Sequence, residues 1–141
     1  MADESRPASR IELVEASGPV APRFQYTTKI TIDADSPTAT TARLIRDHRD
    51  ATGDHRDEHD LDLPAYDALL AELLAVVPLD APLDLVASKR DRKGVSFNHV
   101  IITSGTASTR LDYLLSDLDE DDGDPRARSV VDAIKRAAEK R

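Results

Sequence analysis

The most regular pattern along the chain lies at 24–32, FQYTTKITI. Phe24, Tyr26, Thr28, Ile30 and Ile32 fall on one side, and Gln25, Thr27, Lys29 and Thr31 on the other. A period of two residues is that of a β-strand with one buried face. RIELVEA at 10–16 repeats the pattern more briefly, with Ile11 and Leu13 on one face. SGPVAP at 17–22 separates the two with a glycine and two prolines, so an antiparallel hairpin is expected. Three more strands are predicted at 83–88, 95–103 and 109–116. In the second, Val95, Phe97, His99 and Ile101 share a face; in the third, Leu111, Tyr113 and Leu115 do.

Helical spacing appears in three places. At 37–51, Ser36 suits an N-cap, Pro37 the first helical position and Gly53 the exit, over a thin apolar face of Ala39, Ala42, Leu44 and Ile45. The polar stretch near 52–63 is expected to be a linker. From Pro64, the stripe Tyr66, Leu69, Leu70, Leu73, Leu74 and Val77 predicts a strong amphipathic helix that Pro78 closes. Asp124-Pro125 opens a last helix to about residue 139, with Val130, Val131, Ile134, Ala137 and Ala138 inward. The order β-β-α-α-β-β-β-α predicts an α+β two-layer sandwich, with a mostly antiparallel five-stranded sheet and helices packed on one face. One domain is expected over 10–141 behind a disordered tail at 1–9, and the strand at 10–16 is expected at an exposed sheet edge.

Composition narrows the chemistry. A chain of 141 residues that is 40% hydrophobic can bury a core, and with aromatic residues only 4% of the chain that core must be mainly aliphatic. The lack of cysteine excludes disulfides, thiolate metal sites and cysteine nucleophiles. No signal-like apolar segment occurs near MADESRPASR, and no apolar run has membrane-spanning length, so a soluble cytoplasmic protein is expected. A net charge of −8 opposes general affinity for nucleic acid or an anionic membrane. The charge is uneven: DLDEDDGD at 117–124 carries six acids, and SKRDRKG at 88–94 four bases and one acid.

RDHRDATGDHRDEHD at 46–60 holds the tetrad DHRD twice and three of the four histidines: His48, His55 and His59. On one continuous helix these three would share a stripe and could ligate a transition metal with nearby carboxylates. Only His55 and His59 have the i, i+4 spacing of paired helical ligands, however, and Gly53 interrupts the helix. The plainer reading is a polar helix end with Asp–Arg pairs. The acidic segment fails the EF-hand pattern, because Gly123 is seventh and Arg128 twelfth counted from Asp117. GVSFN lacks the second glycine of a nucleophile elbow. SGTAST lacks the Gly-Lys of a phosphate loop. His99 is expected to be a hydrogen-bonded strand histidine, with Asp112 on the next strand as a partner only if both lie on one face.

These observations point to a non-enzymatic domain that binds another protein: an adaptor, accessory subunit or inhibitor without a cofactor. It would dock through the edge strand at 10–16 and through charged loops, with Lys89, Arg90, Arg92, Lys93 and Arg110 meeting the partner. The alternative is a metal-dependent enzyme or metal sensor using His48, His55 and His59. Self-assembly stays open.

Overall fold

The computed structural model describes residues 9–16, 25–34, 41–84, 97–114 and 123–139. They form β1 (Ser9–Ala16), β2 (Tyr26–Ala34), β3 (Thr41–Asp50), β4 (Gly53–Asp62), α1 (Leu63–Val76), β5 (Leu83–Asp84), β6 (Phe97–Ser104), β7 (Ala107–Leu114) and α2 (Pro125–Glu139). Six strands make an antiparallel sheet in the order β4-β3-β2-β1-β6-β7, and the two-residue β5 adds in parallel beside β7.

The class is α+β, but the expected five-stranded sheet and its β-β-α-α-β-β-β-α order are overturned. The segment 37–51, expected to be helical, contributes β3, and the expected linker contributes β4. Among the described residues the first four strands pair in chain order ahead of α1. The reason is tertiary. As a strand, β3 sets Ala42 and Leu44 on the core face, where both are fully buried, and it is laddered along its length by β2 and β4. As a helix it would have offered only a thin apolar stripe, and helix propensity yields readily to context of this kind. Leu44 lies opposite Ile32 on one side and His59 on the other.

A second correction concerns β1. It is interior, paired with β2 in the register Ile11↔Ile32 and Leu13↔Ile30 and with β6 in the register Ile11↔Ile102 and Leu13↔Val100. The edge strand expected at 10–16 therefore has no free edge. The predicted β1–β2 antiparallel pairing is present, and 26–34 buries the face that contains Thr28, Ile30 and Ile32. In β6 the faces are reversed relative to expectation: Asn98, Val100 and Ile102 are buried, while His99 and Ile101 lie on the opposite side, half-buried. Of the strand expected at 83–88, Leu83–Asp84 is seen; the remainder, and the 117–122 acids and Lys89, Arg90, Arg92 and Lys93, lie outside the described residues.

One sheet face carries the core, and α1 and α2 close it. Tyr66, Leu69, Leu73 and Val77 from the first helical segment meet Val130, Val131, Ile134 and Ala138 from the second in a single apolar cluster with Ile11, Leu13, Ile30, Ile32, Leu44, Val100, Ile102, Leu111 and Tyr113. Full burial of each such aliphatic side chain contributes about 1.5–3 kcal/mol. Pro64 sits in the first turn of α1, and the Val77 amide closes its end on the Leu73 carbonyl at 2.9 Å. Asp124 caps α2: its carboxylate accepts from the Arg126 amide at 2.9 Å, and Arg126 holds that carboxyl below the usual carboxylate range. Ser9 and Tyr66, 2.6 Å apart between hydroxyl oxygens, tie the start of β1 to α1.

Among the described residues the other sheet face carries ion pairs and no helix. Arg10 meets Asp33 at 2.6 Å, Lys29 meets Glu12 at 3.2 Å and Arg110 meets Asp112 at 2.8 Å. Arg43 and Arg56 both reach Glu58, and Arg49 reaches Asp54 at 2.8 Å. Exposed pairs of this kind add little stability each. They do keep six paired strands from presenting a continuous apolar surface.

Candidate functional site

The His-rich segment is a hairpin. Ala51 and Thr52 turn the chain, and Gly53, at φ 127°, takes the backbone angle that favours glycine. The register pairs Asp47 with Arg56, His48 with His55 and Arg49 with Asp54. The repeated tetrad is therefore laid antiparallel on itself. Read in opposite directions, Asp-His-Arg complements Asp-His-Arg: acid meets base on both flanks and imidazole meets imidazole between them. Opposite charges directly across a sheet are favourable, which supports this register.

His48, His55 and His59 all point to the helix-bearing face, but only two of them meet. His48 and His55 rings are 6.3 Å apart between centroids, and Tyr26 stacks on His48 at 5.9 Å. His59 is four residues along β4, about 13 Å away by strand rise, opposite Leu44. Asp50, two residues beyond His48, sits 3.1 Å from His48 Nε2 and 3.8 Å from His55 Nε2. Thr52 donates its amide and hydroxyl to Asp50, which holds that carboxyl below its ordinary value, with His48 adding to the effect. Among the described residues no group of three His, Asp or Glu side chains is arranged to hold a metal ion.

Beside the hairpin, between β2, β3 and the end of α2, lies a feature absent from the sequence-derived site residues. Glu15 is 4% exposed. Its carboxylate accepts from Lys135 Nζ at 2.9 and 3.1 Å, from Tyr26 Oη at 3.1 Å and from Tyr113 Oη at 3.3 Å. These partners come from β2, β7 and α2, over sequence separations of up to 120 residues. Burial, then Glu15, pushes the Tyr26 hydroxyl up to about 12 and Tyr113 higher still. Both remain neutral donors at pH 7. Next to this network is a cavity of about 230 Å³ whose lining includes Tyr26, Thr28, Ile30, Arg46, His48 and Lys135. Thr28 Oγ1 lies 2.7 Å from His48 Nδ1 there. Glu15 stood out little in the sequence: an acid in the alternation of β1, on the Ile11–Leu13 side, was the only signal.

Arg110 lies on the ion-paired face of β7, bonded to Asp112. His99 is directly opposite Asp112 on that face; burial, followed by the Arg110 charge, lowers its pKa. The four loop bases assigned to a partner lie outside the described residues; Arg110 is the member of that set within them.

Among the described residues, β4 lies at one end of the sheet and pairs with β3 alone. Residues 53–58 and 60 are exposed. The two-residue turn makes Asp50↔Gly53 a hydrogen-bonded pair, and such pairs alternate with open ones along an antiparallel ladder. The amides and carbonyls of Asp54, Arg56, Glu58 and Asp60 therefore point away from β3, off the sheet.

No helix among the described residues is long and apolar enough to cross a membrane. Comparison with protein-family models, curated proteins and solved structures gives no match to this chain.

Proposed function

We propose that this protein is a non-enzymatic cytoplasmic binding domain, an adaptor, accessory subunit or inhibitor, that takes an extended segment of another protein along β4. The observation that carries the reading is the ten-residue edge strand with its row of outward backbone groups. Addition of a strand to such an edge derives affinity from main-chain hydrogen bonds and specificity from alternate side chains. Between Gly53 and Asp62 the strand carries five acids and one arginine. That balance favours a partner segment rich in Lys or Arg and disfavours a second copy of the same edge, since two such strands would repel. The metal-dependent alternative has less support, because His59 lies away from the His48–His55 pair.

The test uses proline at an outward amide. Asp60→Pro removes a donor that faces off the sheet and leaves the β3 ladder intact, whereas Asp60→Ala keeps it. Extended Lys-rich peptides, followed by fluorescence anisotropy, are expected to bind the wild type and the alanine variant and to lose affinity by about tenfold for the proline variant. Equal binding by the two variants, or a preference for acidic peptides, would exclude the edge as the docking site.

A further inference from the structure

We infer that the groove between β3, β4 and the end of α2 binds a small organic carboxylate, held by Arg46. Two cavities meet there. The first, about 230 Å³, has Tyr26, Ile30 and His48 along it. The second, about 220 Å³, has Asp57 and His59 along it. Arg46, Ala138 and Glu139 line both. Arg46 thus stands at the junction, half-buried, opposite Ile30 on β2 and Asp57 on β4.

Two polar groups in this groove lack the partners that burial calls for. Arg46 makes no hydrogen bond or ion pair with a described residue, although its cross-strand neighbour Asp57 and the rim acid Glu139 are both close by in the fold. The arginines of the opposite face differ: Arg10, Arg43, Arg49, Arg56 and Arg110 are all engaged. On the other side of the junction, His59 Nε2 is buried with no hydrogen-bond partner among the described residues. A partly desolvated guanidinium presents a planar fork of donors that matches a carboxylate in two parallel hydrogen bonds.

The surroundings define the rest of the ligand. Lys135 already gives two contacts to Glu15, and Tyr26 donates to the same carboxylate, so Arg46 is the cation of the two linings left to meet a ligand, and it does so beside the acids Asp57, Glu58 and Glu139. Ile30 and the stacked Tyr26 and His48 rings offer an apolar and aromatic wall. Each cavity is smaller than the roughly 300–1,000 Å³ typical of drug-sized ligands. The class that fits is a monocarboxylate with a compact apolar or aromatic body, its carboxylate on Arg46 and its body against Tyr26 and Ile30. The first cavity lies on the helix-bearing face, and the second reaches β4 at Asp57, Glu58 and His59.

The experiment is titration of the isotopically labelled full chain with benzoate, phenylacetate and hexanoate, each compared with its neutral amide, followed by backbone amide resonances. Carboxylates are expected to shift resonances around Arg46 on β3 and around Ala138 and Glu139 on α2, with the amides binding at least about tenfold more weakly. Arg46→Gln should bring carboxylate binding down to the level of the amides, and Arg46→Lys should fall between, having kept the charge and lost the fork. The inference is overturned if carboxylates and amides act alike, if no resonance moves at tens of millimolar ligand (about the weakest binding worth the name), or if the shifts map elsewhere. It is overturned equally if a folded Arg46→Gln protein binds as the wild type does. The carboxylate–amide comparison in the wild-type chain decides the matter without either variant.

Discussion

His48 and His55 stand opposite one another on β3 and β4, with ring centroids 6.3 Å apart, and Tyr26 stacks on His48 from β2. The relationship is a consequence of the repeat. Laid antiparallel across the two-residue turn, the two Asp-His-Arg triplets set Asp47 against Arg56 and Arg49 against Asp54, and the histidines between them face each other. What looked like a ligand array along a helix is a register device across a sheet, and it places the edge strand.

The charges of that register can be exchanged. Arg49→Asp, which sets an acid against Asp54, is expected to cost about 0.2–1 kcal/mol, since both side chains are largely exposed. The double variant Arg49→Asp with Asp54→Arg should recover most of the loss. Urea midpoints of the four proteins give the coupling; a double variant no more stable than the sum of the singles would mean that the pair has no part in holding the register.

Removal of Lys135 should be far more damaging than removal of any surface base. Lys135→Met leaves the Glu15 carboxylate, whose side chain is 6% exposed, with two tyrosine hydroxyls alone. Breaking a buried pair on one side costs about 3–5 kcal/mol, and the 38% exposure of Lys135 places this case near the lower end. Adding Glu15→Gln to Lys135→Met should restore much of the stability in chemical denaturation, because the uncompensated charge is then gone.

The tyrosines set an alkaline limit. The Tyr26 pKa is raised in the folded state from 10.0 to about 12, and that of Tyr113 is raised further. The native protein therefore holds protons that the unfolded chain releases. The associated stability is complete below about pH 10 and declines as pH rises through the folded values. Unfolding midpoints measured across that range should fall, and tyrosinate absorbance should appear together with unfolding. Early ionisation of two tyrosines in the native protein would contradict the buried network.

His99 acts in the acid direction. Its pKa is lowered from 6.5, first by burial and then by Arg110, so the unfolded chain takes up a proton more readily than the native one. The stability it contributes is present above pH 6.5 and is lost as pH falls through the lower folded value. His99→Gln should flatten the dependence of stability on pH in that window. The His99 ring resonances should titrate below 6.5 in the native protein.

Local pattern determined a large part of this molecule. The alternation of Ile11 with Leu13 and of Thr28, Ile30 and Ile32 placed β1 and β2 and their pairing, and the stripes through Tyr66–Val77 and Val130–Ala138 placed both helices, because a buried face imposes its own period on the residues that form it. The pattern failed where burial is partial. Over 37–51 a good cap, a proline and a later glycine looked like a helix, and with so few apolar residues the strand spacing of Ala42 and Leu44, two positions apart, did not stand out; the ladders to β2 and β4 decided for a strand. In β6 both faces carry apolar residues, so the alternation could not say which side Val100 and His99 would take.

The site residues divide in the same way. The tetrads that pair His48 with His55 were written in the sequence, though their meaning depended on knowing that the two copies face each other. Glu15, Tyr26, Tyr113 and Lys135 share no motif and stand far apart in the chain. Their meeting depends on β1 lying inside the sheet and α2 crossing beside it, and a buried carboxylate with three donors exists only once long-range packing has removed the water that would otherwise serve each of them.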